Sequence, residues 1–143
     1  MHTIKTSRRP LRPAMAVLLA TLAAAYSTSV PAADTSPAQQ ASRWNTEAGS
    51  AGDALRGEQF FRSKHGKKWS CTSCHQDPPV KPGRHAATGK VIDPLAPAYN
   101  PKAFTDTKRI DKWFRRNCND VLGRECTAQE KADVVAYLNG IRR

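Results

Sequence analysis

The feature that most constrains this chain is the run SCTSCH at residues 70–75, in which two cysteines two residues apart are followed directly by a histidine. A Cys-x-x-Cys-His run is the attachment motif for c-type haem. Thioether bonds from Cys71 and Cys74 would fix the macrocycle against the backbone, and the adjacent His75 would reach its iron. The motif therefore predicts one covalently attached haem c with His75 as the proximal iron ligand.

Two other interpretations of the cysteines compete with haem attachment. A thioredoxin-type redox pair lies between a strand and a helix, whereas here a helical pattern precedes the motif and a proline-rich segment follows it. A zinc site could combine this pair with Cys118 and Cys126, but these two are eight residues apart, wider than the usual zinc spacing. The sequence favours haem.

The N-terminus has the pattern of a secretory signal peptide. Residues 1–15 carry four basic residues and no acid, an apolar run follows at 16–26, and small residues precede Asp34. The apolar run is too short to span a bilayer as a helix, which needs about 20 apolar residues. We expect residues 1–33 to be a signal peptide, cleaved after Ala32 or Ala33, and the mature protein to be periplasmic.

The mature chain is expected to be basic. Subtracting the four basic residues of the signal peptide from 23 leaves 19, against 12 acidic residues, so the formal charge is +7. Such a surplus suits docking to an acidic partner or an anionic surface, and a solvated basic surface without a partner is the alternative. Nucleic acid is disfavoured, because the compartment is wrong and the basic residues are scattered among acids.

The sixth iron ligand cannot be methionine. The only methionines are Met1 and Met15, and both lie in the predicted signal peptide. The thioether that ligates iron in many small electron-transfer cytochromes is therefore excluded. The candidates left open are the lysines, a water molecule, His65, His85, Asn117 and Asn119.

The mature chain is predicted to be an all-α domain over 51–143, preceded by a polar leader arm at 34–50 with a short helix over 38–48. A helix is predicted over 51–63. Gly57 in its interior costs about 1 kcal/mol against alanine, a cost that a close helix crossing would explain.

The second half of the domain is predicted to hold a loop and two helices. Residues 76–103 contain six prolines and no helix or strand pattern, so they are expected to wrap as an ordered loop around a buried haem. The next helix is capped by Thr105 or Thr107 and runs to about Cys118. The last helix begins at Thr127 with a capping-box arrangement.

One face of the third helix points to the distal side of the haem. Ile110, Trp113, Phe114 and Asn117 span less than a third of a turn, and Asn119 lies on the opposite side. Trp113 and Phe114 are therefore candidates to line the haem pocket. A polar Asn117 on this face costs about 1–3 kcal/mol if unpaired, and ligating the iron through its amide oxygen would satisfy it. The alternative is that Asn117 caps the helix C-terminus.

The stretches GDALRGEQFF, CTSCH and DVVAYL resemble class I cytochromes c. The resemblance covers residues 52–143 and implies that the first and last helices of the domain cross. It also implies that Gly57 and Phe61 pack against Val134 and Tyr137. The chain departs from the common pattern in lacking the methionine and in an insert before the CxxCH motif.

The segment WFRRNCNDVLGRECT resembles the distal segment of the high-spin, asparagine-ligated subfamily known as the sphaeroides haem protein type. The resemblance implies that Asn117 is the distal iron ligand and that Cys118 and Cys126 form a disulfide, which an oxidising periplasm permits. It implies loss of the asparagine on reduction and binding of oxygen or nitric oxide. It also implies a dihaem cytochrome c and a membrane b-type cytochrome as electron donors.

The two remaining histidines are not expected to ligate iron. His65 lies among lysines and is predicted to be a neutral, solvent-facing loop histidine. His85, in the run HAATGK, resembles a structural histidine of cytochromes c that hydrogen-bonds the backbone of its own loop. The carbonyl of Pro94 or Pro97 is a candidate acceptor for the other N–H of the His75 ring.

Two functions are therefore carried forward for a protein expected to be a monomer. The first is a redox-gated haem protein that accepts electrons and binds small diatomic ligands. The second is a simple electron shuttle whose open iron site is incidental. No carboxylate or serine constellation indicates a separate catalytic centre, and reduction of oxygen or of a nitrogen oxide is the enzymatic alternative.

Overall fold

The computed structural model describes residues 33–143, so the predicted signal peptide lies outside the described residues except for Ala33. This part of the chain contains four α-helices, one 3-10 turn and one two-stranded antiparallel sheet. No helix in it is long and apolar enough to cross a membrane. The elements are α1 (Pro37–Ala48), α2 (Ala54–Arg62), the 3-10 turn (Cys71–Ser73), β1 (Gly83–Arg84), β2 (Val91–Ile92), α3 (Thr107–Leu122) and α4 (Ala128–Gly140).

The crossing of α2 over α4 is the centre of the fold, as the resemblance to class I cytochromes c implies. A Cβ on Gly57 would lie 1.9 Å from the Asp133 carbonyl oxygen and 3.0 Å from Tyr137 Cβ, so only glycine permits this approach. One turn later, the Phe61 ring lies 5.6 Å from the Tyr137 ring. Val134 is buried in the same core, but the backbone that meets Gly57 is that of Asp133.

A buried carboxylate ties the start of α2 to α4. Asp133, whose side chain is 8% exposed, accepts two hydrogen bonds from the Arg56 guanidinium, at 2.9 and 2.8 Å. It also accepts from the Asp53 backbone N–H at 2.7 Å and from Gln129 Nε2 at 2.9 Å. Burial acts to raise the pKa of Asp133, but these hydrogen bonds outweigh it and hold the pKa below its ordinary value.

The segment at 34–50, which the sequence presents as a polar leader arm, packs into the core. Its helix α1 lies against α4, and Trp44 is only 3% exposed. Ala41 and Ala48 lie on the same apolar stripe, three and four residues from Trp44. The Trp44 ring meets the Phe114 ring edge-on at 5.7 Å, so α1 connects α4 to α3.

The beginning of this segment is bonded to the first turn of α3. Asp34 Oδ1 accepts from the Thr107 backbone N–H at 2.9 Å. Gln40, 2% exposed, donates to Thr35 Oγ1 at 2.9 Å and to Thr107 Oγ1 at 3.5 Å. These polar contacts fix the start of α3 relative to α1.

The proline-rich segment at 76–103 is an ordered loop, as predicted, but it contains the short sheet that the sequence did not indicate. The Pro79 carbonyl accepts from the backbone N–H groups of Leu95 and Ala96, both at 3.1 Å. Within the loop, β1 and β2 pair Gly83 with Ile92. A strand of two residues is too short to show the alternation by which strands are recognised in a sequence.

The bounds of α3 differ from the prediction at both ends. The cap is Asp106, whose side chain accepts from a backbone N–H of the first turn at 2.8 Å, rather than Thr105 or Thr107. The helix runs to Leu122, one turn beyond Cys118. Asp106 is a better cap than its threonine neighbours, because its short carboxylate reaches the free N–H groups of the first turn. Its negative charge is also stabilised by the positive end of the helix dipole.

Helix α4 begins as predicted. Thr127 and Glu130 form the capping box, with the Thr127 N–H donating to Glu130 at 2.8 Å and the Glu130 N–H donating to Thr127 at 3.2 Å. Arg124 donates two further hydrogen bonds to Glu130, at 2.8 and 2.7 Å. This guanidinium is the main reason that the pKa of Glu130 is lowered.

Candidate haem-binding site

The CxxCH motif forms a single tight turn. Ser70, which is 5% exposed, caps the turn by donating its backbone N–H to Ser73 Oγ at 3.0 Å. The Cys71 carbonyl accepts from the N–H groups of Cys74 and His75, at 3.2 and 3.0 Å. The two predicted attachment thiols and the predicted proximal ligand are therefore within one turn of backbone.

The proline-rich loop closes against the back of this turn. A Cβ on Gly83 would lie 2.1 Å from the Cys74 carbonyl oxygen, so the loop approaches the motif at a distance that only glycine allows. The same carbonyl accepts from the Arg84 N–H at 2.9 Å, and Cys74 Sγ accepts from the Ala86 N–H at 3.2 Å. The motif is thereby held between α2 and the loop.

The two thiols of the motif are unpaired and half-buried. Burial raises the pKa of the Cys71 thiol to about 12. Cysteines of a CxxC redox pair have a lowered pKa instead, because the thiolate is the reactive form. The raised pKa of Cys71 is therefore the opposite of what a thioredoxin-like pair shows.

His75 is held as a neutral imidazole. Its ring lies 6.1 Å from the Phe61 ring, and burial lowers the pKa of His75 to about 4. At neutral pH the ring is therefore uncharged, which is the form that ligates metals. Of the two predicted acceptors for its other N–H, the Pro94 carbonyl accepts from Asn100 Nδ2 at 2.8 Å, which leaves it a second lone pair. Both Pro94 and Pro97 stay predictions.

The predicted pocket residues of α3 differ in burial. Ile110 is 8% exposed, and Phe114 is half-buried against the hydrophobic core. Trp113 is 41% exposed, with Lys112 Nζ 5.7 Å and the Arg116 guanidinium 5.3 Å from its ring centroid. Phe114 thus belongs to the apolar side of the helix, and Trp113 lies at the edge of that side.

Asn117 does not cap α3. It is exposed and lies five residues before the helix ends at Leu122, so the capping interpretation is wrong. Among residues 33–143 its carboxamide has no hydrogen-bond partner, whereas Nδ2 of the nearby Asn119 donates to the Arg115 carbonyl at 2.8 Å. Asn117 therefore presents a carboxamide that no described protein group occupies.

The structure joins Cys118 to Cys126, with Cα atoms 5.5 Å apart and side chains 5% and 7% exposed. The four-cysteine zinc arrangement is therefore not formed. Within the described part of the chain, no three His, Cys, Asp or Glu side chains converge on a metal site.

The insert before the motif contacts the end of α3. Lys67 lies over Gly123, where a Cβ would be 2.6 Å from Lys67 Cε and 3.0 Å from Nζ. Gly123 ends the helix with a φ of 76°, a backbone conformation that glycine adopts without strain. An ammonium group is favoured at a helix C-terminus, so the insert and α3 support each other.

The other two histidines are hydrogen-bonded to backbone. His85 Nδ1 accepts from the N–H groups of Ala87 and Thr88, both at 3.3 Å, which is the structural role predicted for it. His65 Nε2 donates to the Phe60 carbonyl at 2.8 Å, and its ring lies 4.3 Å from that of Phe60. The prediction of a solvent-facing His65 was therefore wrong.

Three residues that support the site were not found from the sequence. Trp44 had a usable signal, the apolar spacing that it shares with Ala41 and Ala48. Gly83 and Lys67 had none, because each acts through a contact that only the folded chain creates.

The residues present fit a covalently attached haem. They supply two unpaired thiols, a neutral imidazole and a carboxamide that no described group occupies. The hydrophobic core also reaches the motif at Cys71, the loop at Leu95 and α3 at Phe114, so apolar groups from three segments adjoin the site. Fold and site together define a c-type cytochrome, a class that carries covalently bound haem c, here one per chain.

The comparisons with known proteins agree. The family described as "Domain of unknown function (DUF1924)" matches residues 47–138. Cytochrome c-type protein SHP of Cereibacter sphaeroides is 48% identical over 111 residues, which are 75% of this chain and 85% of that protein. The solved structure of oxidised SHP, described as an oxygen-binding cytochrome c, superposes with a TM-score of 0.69 at 48% identity. That match covers 73% of this chain and 96% of the SHP chain.

A second relative has the same fold. The solution structure of Methylophilus methylotrophus cytochrome c'', described as giving insights into haem-ligand detachment, has a TM-score of 0.66 at 34% identity. It covers 75% of this chain and 94% of the cytochrome c'' chain. The chain belongs to the family of the sphaeroides haem protein, SHP.

Proposed function

We propose that this protein is an exported, periplasmic haem protein that accepts electrons and, once reduced, binds a small diatomic ligand such as oxygen or nitric oxide. Cys71 and Cys74 attach the haem, His75 is the proximal ligand, and Asn117 is the distal ligand. The haem supplies an iron centre that exchanges an electron and accepts an axial ligand. The observation that carries the proposal is the 48% identity to SHP, whose solved structure is described as that of an oxygen-binding cytochrome c.

The chemistry of Asn117 supports a redox-dependent distal bond. A carboxamide oxygen is a hard, neutral donor, suited to ferric iron and weak toward ferrous iron. The side chain has no other partner among the described residues to compete for it, so Asn117 is available to ligate and free to leave. The related cytochrome c'' has a structure described in terms of haem-ligand detachment.

The released side chain has a second use. Its amide nitrogen carries two N–H donors, and distal hydrogen-bond donors help to decide whether a haem protein binds oxygen. Ile110 and Phe114 lie on the same helix face, on its apolar side. Asn117 would then donate a hydrogen bond to a small ligand held among apolar groups.

The proposed compartment and electron donors follow from the family resemblance. The donors are a dihaem cytochrome c and a membrane b-type cytochrome, and the protein acts as a monomer. The Cys118–Cys126 pair suits an oxidising periplasm, where a disulfide persists. It would close a short loop directly after Asn117 and so hold the ligand in place.

Optical spectroscopy of the holoprotein tests the proposal, with Asn117→Ala as the variant and Asn119→Ala as its matched control. Both asparagines are exposed on α3, but Asn119 lies on the other side of the helix. We expect a high-spin ferrous spectrum that shifts on adding carbon monoxide or nitric oxide, and a ferric spectrum that changes in Asn117→Ala only. Ferrous protein that is low-spin and inert to both gases would instead indicate the electron shuttle.

A further inference from the structure

The outer side of α3 carries a concentration of positive charge. Five exposed cations lie within about a third of a turn, on the side of the helix opposite Ile110 and Asn117. We call them the α3 basic face: Lys108, Arg109, Lys112, Arg115 and Arg116.

The cations of this face differ from the arginines of α1 and α2 in how far they are paired with carboxylates. The arginines of α1 and α2 are paired with carboxylates at 3.0 Å or less: Arg43 with Glu47 and Asp111, Arg56 with Asp133, Arg62 with Glu58 and Asp77. On the α3 basic face, the nearest pairing among the described residues is Arg115 to Glu125, at 3.9 Å. The charge of this face is therefore largely uncompensated within the described chain.

The uncompensated charge is unfavourable for the helix itself. Lys112 has a cation four residues before it, Lys108, and another four residues after it, Arg116. Like charges at this spacing repel each other on a helix surface. A carboxylate-bearing partner would relieve the repulsion, so the face is complementary to an acidic surface.

We propose that the α3 basic face is the docking site for an acidic surface of an electron-donating protein. The inference rests on the proposed function, because it requires that the protein accepts electrons. The donor loses one electron and the ferric haem gains it, and no bond or proton is transferred at the docking surface. Asn117 lies on the other side of the same helix, so the docked donor is about 10–12 Å, one helix diameter, from the distal ligand.

A protein partner fits this face better than a membrane. A helix that lies in a lipid interface inserts its apolar side into the bilayer. The apolar side of α3 faces inward, with Ile110 8% exposed and Phe114 packed against the core. The outer side carries the five cations with the polar Asn119 among them and Asp120 at its edge. Such a charged and polar surface suits an electrostatic encounter between two proteins.

The test compares two charge-reversed forms of the holoprotein. Lys108→Glu/Lys112→Glu reverses two charges of the α3 basic face. Lys81→Glu/Lys90→Glu makes the same net change at two exposed lysines of the proline-rich loop. Stopped-flow spectroscopy measures haem reduction by reduced plant-type ferredoxin, an acidic iron–sulfur protein, at about 10 mM and about 200 mM salt. Photoreduced lumiflavin, a small uncharged reductant, reports whether each haem site is intact.

We expect the α3 variant to lose at least about tenfold in its rate with ferredoxin at low salt, and most of its salt dependence. We expect the loop variant to stay within about threefold of wild type, and lumiflavin rates to be unchanged in both. Equal slowing of both variants, or a wild-type rate that does not depend on salt, would overturn the docking site. Binding of wild type but not the α3 variant to phosphatidylglycerol vesicles, with equal ferredoxin rates, would assign the face to a membrane instead.

Carbon monoxide binding by the same ferrous samples separates this inference from the function on which it rests. A wild type that is reduced through the α3 basic face but binds no carbon monoxide would refute the gas-binding function and keep the docking site. If wild type binds carbon monoxide but ferredoxin reduces both variants at the same rate, the docking site is refuted and the gas-binding function is kept.

Discussion

The contacts that stabilise the crossing of α2 and α4 differ in kind from those of helix α3. At the crossing, Gly57 and Phe61 pack against α4 so closely that a larger side chain at Gly57 would not fit. Asp133 is held there by four hydrogen bonds. On α3 the inner side is apolar only at a few positions, while the outer side carries cations that repel each other. The crossing is specified by contacts within the chain, whereas the outer side of α3 has few such contacts, as we expect of a surface that binds a partner.

The largest effect is expected at the crossing, from Phe61→Ala. Phe61 is 1% exposed and lies between the rings of His75 and Tyr137, so its truncation leaves a cavity. We expect a loss of about 3–5 kcal/mol in the free energy of unfolding, measured by urea denaturation. Leu55→Ala on the same helix, at a side chain that is 64% exposed, should change it by less than about 0.5 kcal/mol. Similar losses for the two variants would show that the crossing is not the tightly packed region.

A smaller effect is expected from Asp133→Asn, which removes the charge but keeps the shape. The amide leaves hydrogen bonds of Arg56 and the Asp53 backbone poorly satisfied, at a cost of about 1–2 kcal/mol at pH 7. Because the folded-state pKa of Asp133 is lowered, its stabilisation is present above the ordinary carboxyl pKa and is lost as the pH falls through the lowered value.

Urea denaturation of wild type and Asp133→Asn between pH 7 and pH 2.5 measures this pH dependence. We expect the difference between the two proteins to shrink as the pH falls below about 4. A difference that stays constant over this range would mean that folding does not lower the pKa of Asp133.

The smallest effect, and one of opposite sign, is expected on α3. Lys112→Glu replaces two repulsive spacings, to Lys108 and Arg116, with attractive ones, and should stabilise the protein by about 0.5 kcal/mol. Lys90→Glu, in the loop, should leave the free energy of unfolding unchanged. If Lys112→Glu destabilises the protein, the α3 basic face has a structural role in the fold that the salt bridges do not show.

The same contrast explains what the sequence could predict. The crossing was predictable, because Gly57, Phe61 and Tyr137 carry local patterns that also mark the family. The capping box was also predictable, because Thr127 and Glu130 form a local pattern in the sequence. The core position of Trp44 was not recognised, because its two apolar neighbours on the stripe are small alanines in a polar segment.

Around the haem site, residue types were predictable and supporting contacts were not. The thiols and His75 are given by one motif, and the pairing of Cys118 with Cys126 came from resemblance alone. The approach of Gly83 to Cys74 and of Lys67 to Gly123 depends on how the loop and the insert fold back. Phe104, buried at 8% exposure with a φ of 59°, is another case, because no pattern predicts a left-handed conformation for a phenylalanine.

If the carboxamide of Asn117 is the distal iron ligand of the oxidised protein, a crystal structure of the ferric holoprotein will show the bond. We predict a bond from Asn117 Oδ1 to the iron on the side opposite His75. A ferric structure in which a histidine, a lysine or any other side chain occupies that position would rule out Asn117 as the ligand.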